Sequence, residues 1–159
     1  MPSNEITFCS NSSDSLLRKR VPVSGDVVSN RAIVLLVDDD ELVLNLLSLS
    51  LEEAGHKVLV ASNAREALAL LSHLQDAIDL LVTDIHLPGM SGTELATAAT
   101  GICGSPVLLI SGESVTSEIQ PAGWSFLAKP FTPNRFIGTV NDILARAGGK
   151  AQDATERTL

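Results

Sequence analysis

Between residues 31 and 148 the apolar positions alternate between two textures. Short continuous runs at 32–37, 57–61, 80–82, 107–110 and 126–128 read as strands buried on both faces, because a half-exposed strand would alternate apolar with polar. The segments between them carry apolar residues at helical spacing. Val43, Leu46, Leu47 and Ala54 form one face of the first helix, and Gly55 stops it. Ala67, Leu68, Leu71 and Leu74 stripe the second. The last helix begins at Thr132, an N-cap, followed by Pro133 in the first turn. Phe136, Val140, Ile143 and Ala147 form its apolar face, and Gly148 ends it. Strand starts near 32, 57, 79, 107 and 126 give a βα rhythm, which predicts an α/β fold with a five-stranded parallel sheet and helices on both faces.

Flanking segments lack this rhythm. Residues 1–30 are rich in Ser, Asn and Asp and are expected to form a flexible N-terminal extension. Residues 149–159 are expected to form a short flexible tail, leaving one domain over 31–148 and no effector domain after it.

In a parallel sheet ligands bind beyond the carboxyl ends of the strands, so the residues closing each run decide the chemistry. Asp38, Asp39 and Asp40 follow the first run, Asp84 ends the third, Ser111 the fourth, and Lys129-Pro130 the fifth. One Asp at such a place caps a helix, and one Ser or Lys makes an ordinary turn or surface position. Together they form an inventory for a divalent cation and a phosphoryl group. Adjacent carboxylates repel unless a cation neutralises them, and hard oxygen donors suit magnesium. A Ser111 hydroxyl could donate to a phosphoryl oxygen, and Lys129 would supply a point charge, aimed inward by a cis Lys129–Pro130 bond.

Composition narrows the setting. Over 31–148 there are 14 acidic and 6 basic side chains, which carry the whole net charge of −8. An acidic domain argues against direct nucleic-acid binding, and the basic cluster Arg18-Lys19-Arg20 reads as a solvated stretch. No apolar run has the length of a membrane span, no signal peptide is evident, and Cys9 and Cys103 lack metal-type spacing. A cytoplasmic protein is the expectation.

The run VDDDE, then TDIHLPGMSG, LISGE and FLAKPF resembles the receiver domain of two-component response regulators, of the single-domain chemotaxis type, over residues 31–148. The resemblance implies a flavodoxin-like sheet of order 2-1-3-4-5. It implies that Asp84 is the phosphoacceptor for a sensor histidine kinase or a histidine phosphotransfer domain. Mg2+ would be held by Asp39, by Asp38 through water, by Asp84 and by the backbone carbonyl of His86. Lys129 and Ser111 would assist transfer, and Ser111 with Phe126 would form the switch that changes affinity for a downstream protein. The domain would assist its own phosphorylation and dephosphorylation and turn over no other substrate.

Three positions depart from the family pattern. Glu41 often differs there, and His86 is bulky beside the site. From Ser111 to Phe126 there are 15 steps, so the fourth of five expected helices is short or irregular. A haloacid-dehalogenase-type phosphatase also uses an aspartyl nucleophile but carries a second Asp two residues later, where this chain has His86. The remaining alternative is a phosphate-independent interaction module, a pseudo-receiver. The first helix carries Leu42, Leu44, Leu46, Leu47, Leu49 and Leu51, more than one buried face requires. Part of that surface is expected to dock a kinase helix, or a second subunit in a homodimer, with Leu44 as the position to test.

Overall fold

The computed structural model describes residues 31–112 and 121–157, with side chains to residue 147. Five parallel strands form one sheet: β1 (Ile33–Val37), β2 (Lys57–Ala61), β3 (Leu80–Asp84), β4 (Val107–Ser111) and β5 (Trp124–Ala128). Their spatial order is β2-β1-β3-β4-β5, the order the resemblance implies. Among the described residues four helices cover the sheet: α1 (Glu41–Glu53), α2 (Ala64–Leu74), α3 (Gly92–Ile102) and α4 (Pro133–Arg157). The short or irregular helix expected between β4 and β5 falls on residues 113–120, outside the described residues, as do the expectations for residues 1–30.

Side-chain alternation along the central strands divides the core into two layers. Val34, Leu36, Leu80, Val82, Leu108 and Ile110 point to the face covered by α1 and α4. Ile33, Leu35, Val37, Leu81, Val107 and Leu109 point to the face covered by α2 and α3. The runs of β1, β3 and β4 are continuous because both faces are dry; the edge strands depart from that expectation, with Lys57 and Val60 of β2 and Ala128 of β5 exposed. Burying each side chain of the two layers contributes about 1.5–3 kcal/mol.

Local signals set the helix ends. Asp40 caps α1 by accepting from the Leu42 amide at 2.9 Å. Gly55, at φ +95°, ends it: the Gly55 amide donates to Glu52 and the His56 amide to Leu51, closing the last turn. Asn63 caps α2 and Ser91 caps α3, the latter through a reciprocal pair in which the Ser91 amide donates to the Glu94 carboxylate. At α4 the Thr132 hydroxyl accepts from the Arg135 amide, as expected of that cap.

Several faces differ from expectation. The buried side of α1 is Leu44, Leu47 and Leu51, with Val43 half-buried; Leu46 and Ala54 are exposed. Leucine at six positions satisfies more than one helical stripe, and packing against the sheet selects Leu44, Leu47 and Leu51. Leu44 is therefore a core residue and no test of docking. In α2, Ala64, Ala67 and Leu71 are buried and Leu74 is largely exposed. In α4, Leu144 joins Phe136, Val140 and Ile143, and Ala147 is only half-buried. Gly148 does not end α4, whose backbone stays helical through residues expected as a tail. A glycine within a helix costs about 1 kcal/mol relative to alanine, and ends the helix only where it adopts a left-handed conformation.

Candidate functional site

Parallel pairing brings the strand ends level with one another. Val37 lies opposite Thr83, Asp84 opposite Ile110, and Ser111 opposite Ala128. Asp38, one residue past β1, and Asp84, the last residue of β3, therefore stand side by side, with Ser111 and Lys129 along the same edge. Asp38, Asp84 and Ser111 are buried; Asp39 is exposed.

Lys129 is the cation of this cluster. Its Nζ lies 3.7 Å from Asp84 Oδ2 and 4.0 Å from Asp38 Oδ2. The peptide between Lys129 and Pro130 is cis, and the Lys129 amide donates to the Ser111 carbonyl at 2.8 Å. That bond ties the end of β5 to the end of β4.

The three aspartates at the start of α1 divide their work. Asp40 turns outward and caps the helix, the ordinary role of an aspartate there. Asp38 accepts from the Asp40 amide at 2.9 Å through Oδ1. Asp38, Asp39 and Asp84 each present one carboxylate oxygen within 4.8 Å of the others, a set that suits one divalent ion. Burial is the main cause that raises the Asp38 carboxyl above its ordinary range. The Asp40 amide and Lys129 oppose the rise, and the Asp84 and Asp39 charges add to it. A buried carboxylate beside two others, served by one amine, has more negative charge than its protein partners neutralise. The chemistry of this donor set fits Mg2+.

The outer expected residues fall as follows. His86 has an exposed side chain, and its amide lies 3.4 Å from Asp84 Oδ1. Phe126 is half-buried against the core layer beneath α2 and α3. Trp124 packs on the same layer and donates from Nε1 to Thr100 Oγ1 at 3.3 Å.

The sequence alone did not single out Gly92. A Cβ there would collide with the Asp84 carbonyl oxygen and stand 2.8 Å from Ile85 Cα. The available signal was a small residue opening the helix that follows a reactive strand end.

The profile of the response regulator receiver domain matches residues 34–141, most of the chain. The chain belongs to the response regulator receiver family. It is 31% identical to the sensory/regulatory protein RpfC of Xanthomonas campestris pv. campestris, over 96% of this chain and 21% of that protein. It is 30% identical to the transcriptional regulatory protein CpxR of Escherichia coli, over 72% of this chain and 50% of that protein. The chain thus spans between a fifth and a half of these curated relatives. Among solved structures, the receiver domain of the hybrid histidine kinase CckA superposes with a TM-score of 0.64 at 32% identity, covering 71% of this chain and 99% of that one. A CheY-like receiver domain protein from Methanospirillum hungatei JF-1 gives 0.69 at 28% identity, covering 76% and 98%. This receiver is accordingly a signalling domain of two-component systems, with the CheY-like flavodoxin fold. Among the described residues no helix is long and apolar enough to cross a membrane.

Proposed function

We propose that this receiver takes a phosphoryl group from a phosphohistidine of a sensor kinase or histidine phosphotransfer domain onto Asp84. The observation that carries this reading is the placement of the buried Asp84 carboxylate 3.7 Å from Lys129 and within 4.8 Å of Asp38 and Asp39. An Asp84 carboxylate oxygen attacks the phosphorus. The new O–P bond forms as the N–P bond breaks, and the electron pair returns to the imidazole, which regains its proton from water. Asp38, Asp39, Asp84 and the His86 carbonyl would hold Mg2+, whose bound charge would offset that of the phosphoryl oxygens. Lys129 contributes a second positive charge from the protein itself, and it is tethered through Ser111, so the field is in place before the donor arrives.

Ser111 and Phe126 are the switch in this reading. Phosphorylation at Asp84 draws the Ser111 hydroxyl toward the phosphoryl group, and Phe126, packed only half-buried, changes place with it. A coupling of about 1–3 kcal/mol suffices to change affinity for a downstream protein several-fold or more.

Donor docking belongs to the outer face of α1. Leu42, Leu46 and Leu49 are 79%, 55% and 58% exposed and follow one another at helical spacing, beginning two residues after Asp40. An apolar stripe beside the phosphoacceptor suits a helix of the phosphodonor protein. A cytoplasmic setting goes with this reading, and the free thiol of Cys103 is compatible with it.

Intact-mass measurement after incubation with a small acyl-phosphate donor and Mg2+ tests the assignment. Wild type gains one phosphoryl adduct, which alkaline hydroxylamine removes, and Asp84→Asn gains none. An adduct that persists in Asp84→Asn refutes it. No transfer to wild type, either from the small donor or from histidine kinases, favours the phosphate-independent module.

A further inference from the structure

Two residues with no place in the transfer chemistry hold the Asp84 backbone. Thr83, fully buried in β3, donates its hydroxyl to the Asp84 carbonyl oxygen at 3.0 Å. Valine would fill nearly the same volume and suits a central strand at least as well. The buried hydroxyl therefore has a use other than packing, and the oxygen that accepts from it is the carbonyl of the reactive residue. From the other side Gly92, first residue of α3, lies so close that any Cβ would strike that same carbonyl oxygen. The Gly92 amide donates to the Ile85 carbonyl at 2.8 Å, and the reciprocal Ser91–Glu94 cap fixes the helix start that carries Gly92.

The loop between β3 and α3 is thus closed at its base against the Asp84 carbonyl, where Thr83 and Gly92 meet it, and the Ile85 carbonyl, which accepts from the Gly92 amide. We infer that Thr83 and Gly92 are positioning residues: they fix the plane of the Asp84–Ile85 peptide and so aim the Asp84 carboxylate. This rests on Asp84 as phosphoacceptor. A carboxylate has only two side-chain torsions, so its reach is set largely by the backbone from which it projects. Rotation of the peptide moves the nucleophilic oxygen relative to Lys129 and Asp38, and a misplacement of about 1 Å can cost on the order of 100-fold in rate.

Thr83→Val, Thr83→Ser and Gly92→Ala separate this role from simple packing. Two readouts are needed: the maximal rate of phosphoryl uptake from a small acyl-phosphate donor at saturating Mg2+, and the amide NMR spectrum without Mg2+. Thr83→Val is expected to slow uptake about tenfold while Thr83→Ser, which keeps the hydroxyl, stays within about twofold of wild type. Gly92→Ala is expected to slow uptake at least as much as Thr83→Val. In Thr83→Val and Gly92→Ala the amides of residues 84–86 shift even without Mg2+. A wild-type rate in a cooperatively folding Thr83→Val overturns the inference, as does an equal fall in Thr83→Val and Thr83→Ser. Should Thr83→Val fail to fold, an unchanged rate or unshifted 84–86 amides in Gly92→Ala overturn it instead. Absence of uptake by wild type contradicts the phosphoacceptor reading alone, because the metal-free amide shifts still report whether the Asp84 backbone is held.

Discussion

Asp38→Asn is expected to make the metal-free protein more stable and the Mg2+-loaded protein less so. Asp38 is 2% exposed, and its charge meets Asp39 and Asp84 on one side and Lys129, 4.0 Å away, on the other. At about 4 Å, with an effective dielectric near 20, one such pair is worth roughly 4 kcal/mol before solvent screening, and the single attraction faces two repulsions, so ion pairing does not offset the burial. The desolvation cost remains, the first cause of the raised Asp38 pKa. Asparagine keeps an oxygen to accept from the Asp40 amide, so the substitution removes the charge and leaves the hydrogen bond. Relief of about 1 kcal/mol follows, seen as a rise in Tm of roughly 3–5 °C for a domain of this size. Saturating Mg2+ reverses the order. Wild type gains about 2.7 kcal/mol at a Mg2+ concentration near 100 times its Kd, and the variant gains far less.

The pH dependence has a fixed sign. A carboxyl whose folded pKa lies above its unfolded value, here 3.8, binds its proton more readily in the folded state. Lowering pH from neutrality toward 3.8 therefore stabilises metal-free wild type relative to Asp38→Asn, and the gap between them closes. Thermal unfolding at several pH values, with chelator or with Mg2+, reads all of this. An Asp38→Asn protein less stable than wild type at pH near 7 in chelator, with a gap that narrows on acidification, would refute the reasoning.

Three further outcomes follow from the geometry. Lys129→Met removes the amine 3.7 Å from Asp84 and is expected to slow phosphoryl uptake at saturating Mg2+ by about 10²–10³-fold, measured by intact mass against time. Leu46→Glu places a charge on the exposed α1 stripe; transfer from a phosphorylated kinase falls while uptake from a small donor and the melting temperature stay unchanged. Ser91→Ala breaks the reciprocal cap of α3 and is expected to cost about 1 kcal/mol in denaturant unfolding.

The strand ends are legible in the sequence because a parallel sheet turns sequence order into spatial neighbourhood. Once the continuous runs ending at Val37, Asp84 and Ser111 are parallel strands, their last residues share an edge. Lys129 is legible for the same reason. The phase of α1 is not, since leucines at 42, 44, 46, 47, 49 and 51 satisfy several stripes and only packing selects Leu44, Leu47 and Leu51. Nor is the end of α4, because Gly148 has the look of a terminator while the backbone continues helical. Thr83 and Gly92 stay hidden for a different reason. Their importance lies in contacts with a backbone carbonyl, which no hydrophobic period or charge pattern reports. Among the three adjacent aspartates, sequence offers both capping and metal binding, and the structure gives the cap to Asp40 and the buried cluster to Asp38.

The most direct measurement locates the phosphoryl group. Wild-type protein, phosphorylated by a histidine kinase or a small donor with Mg2+, is reduced with borohydride, which converts an acyl phosphate to an alcohol, and is then sequenced by fragment mass. Modification is expected at Asp84 alone, and it is lost when Mg2+ is chelated before the donor is added. Modification at Asp38 or Asp39 in place of Asp84, or a phosphoryl group on His86, would overturn the assignment.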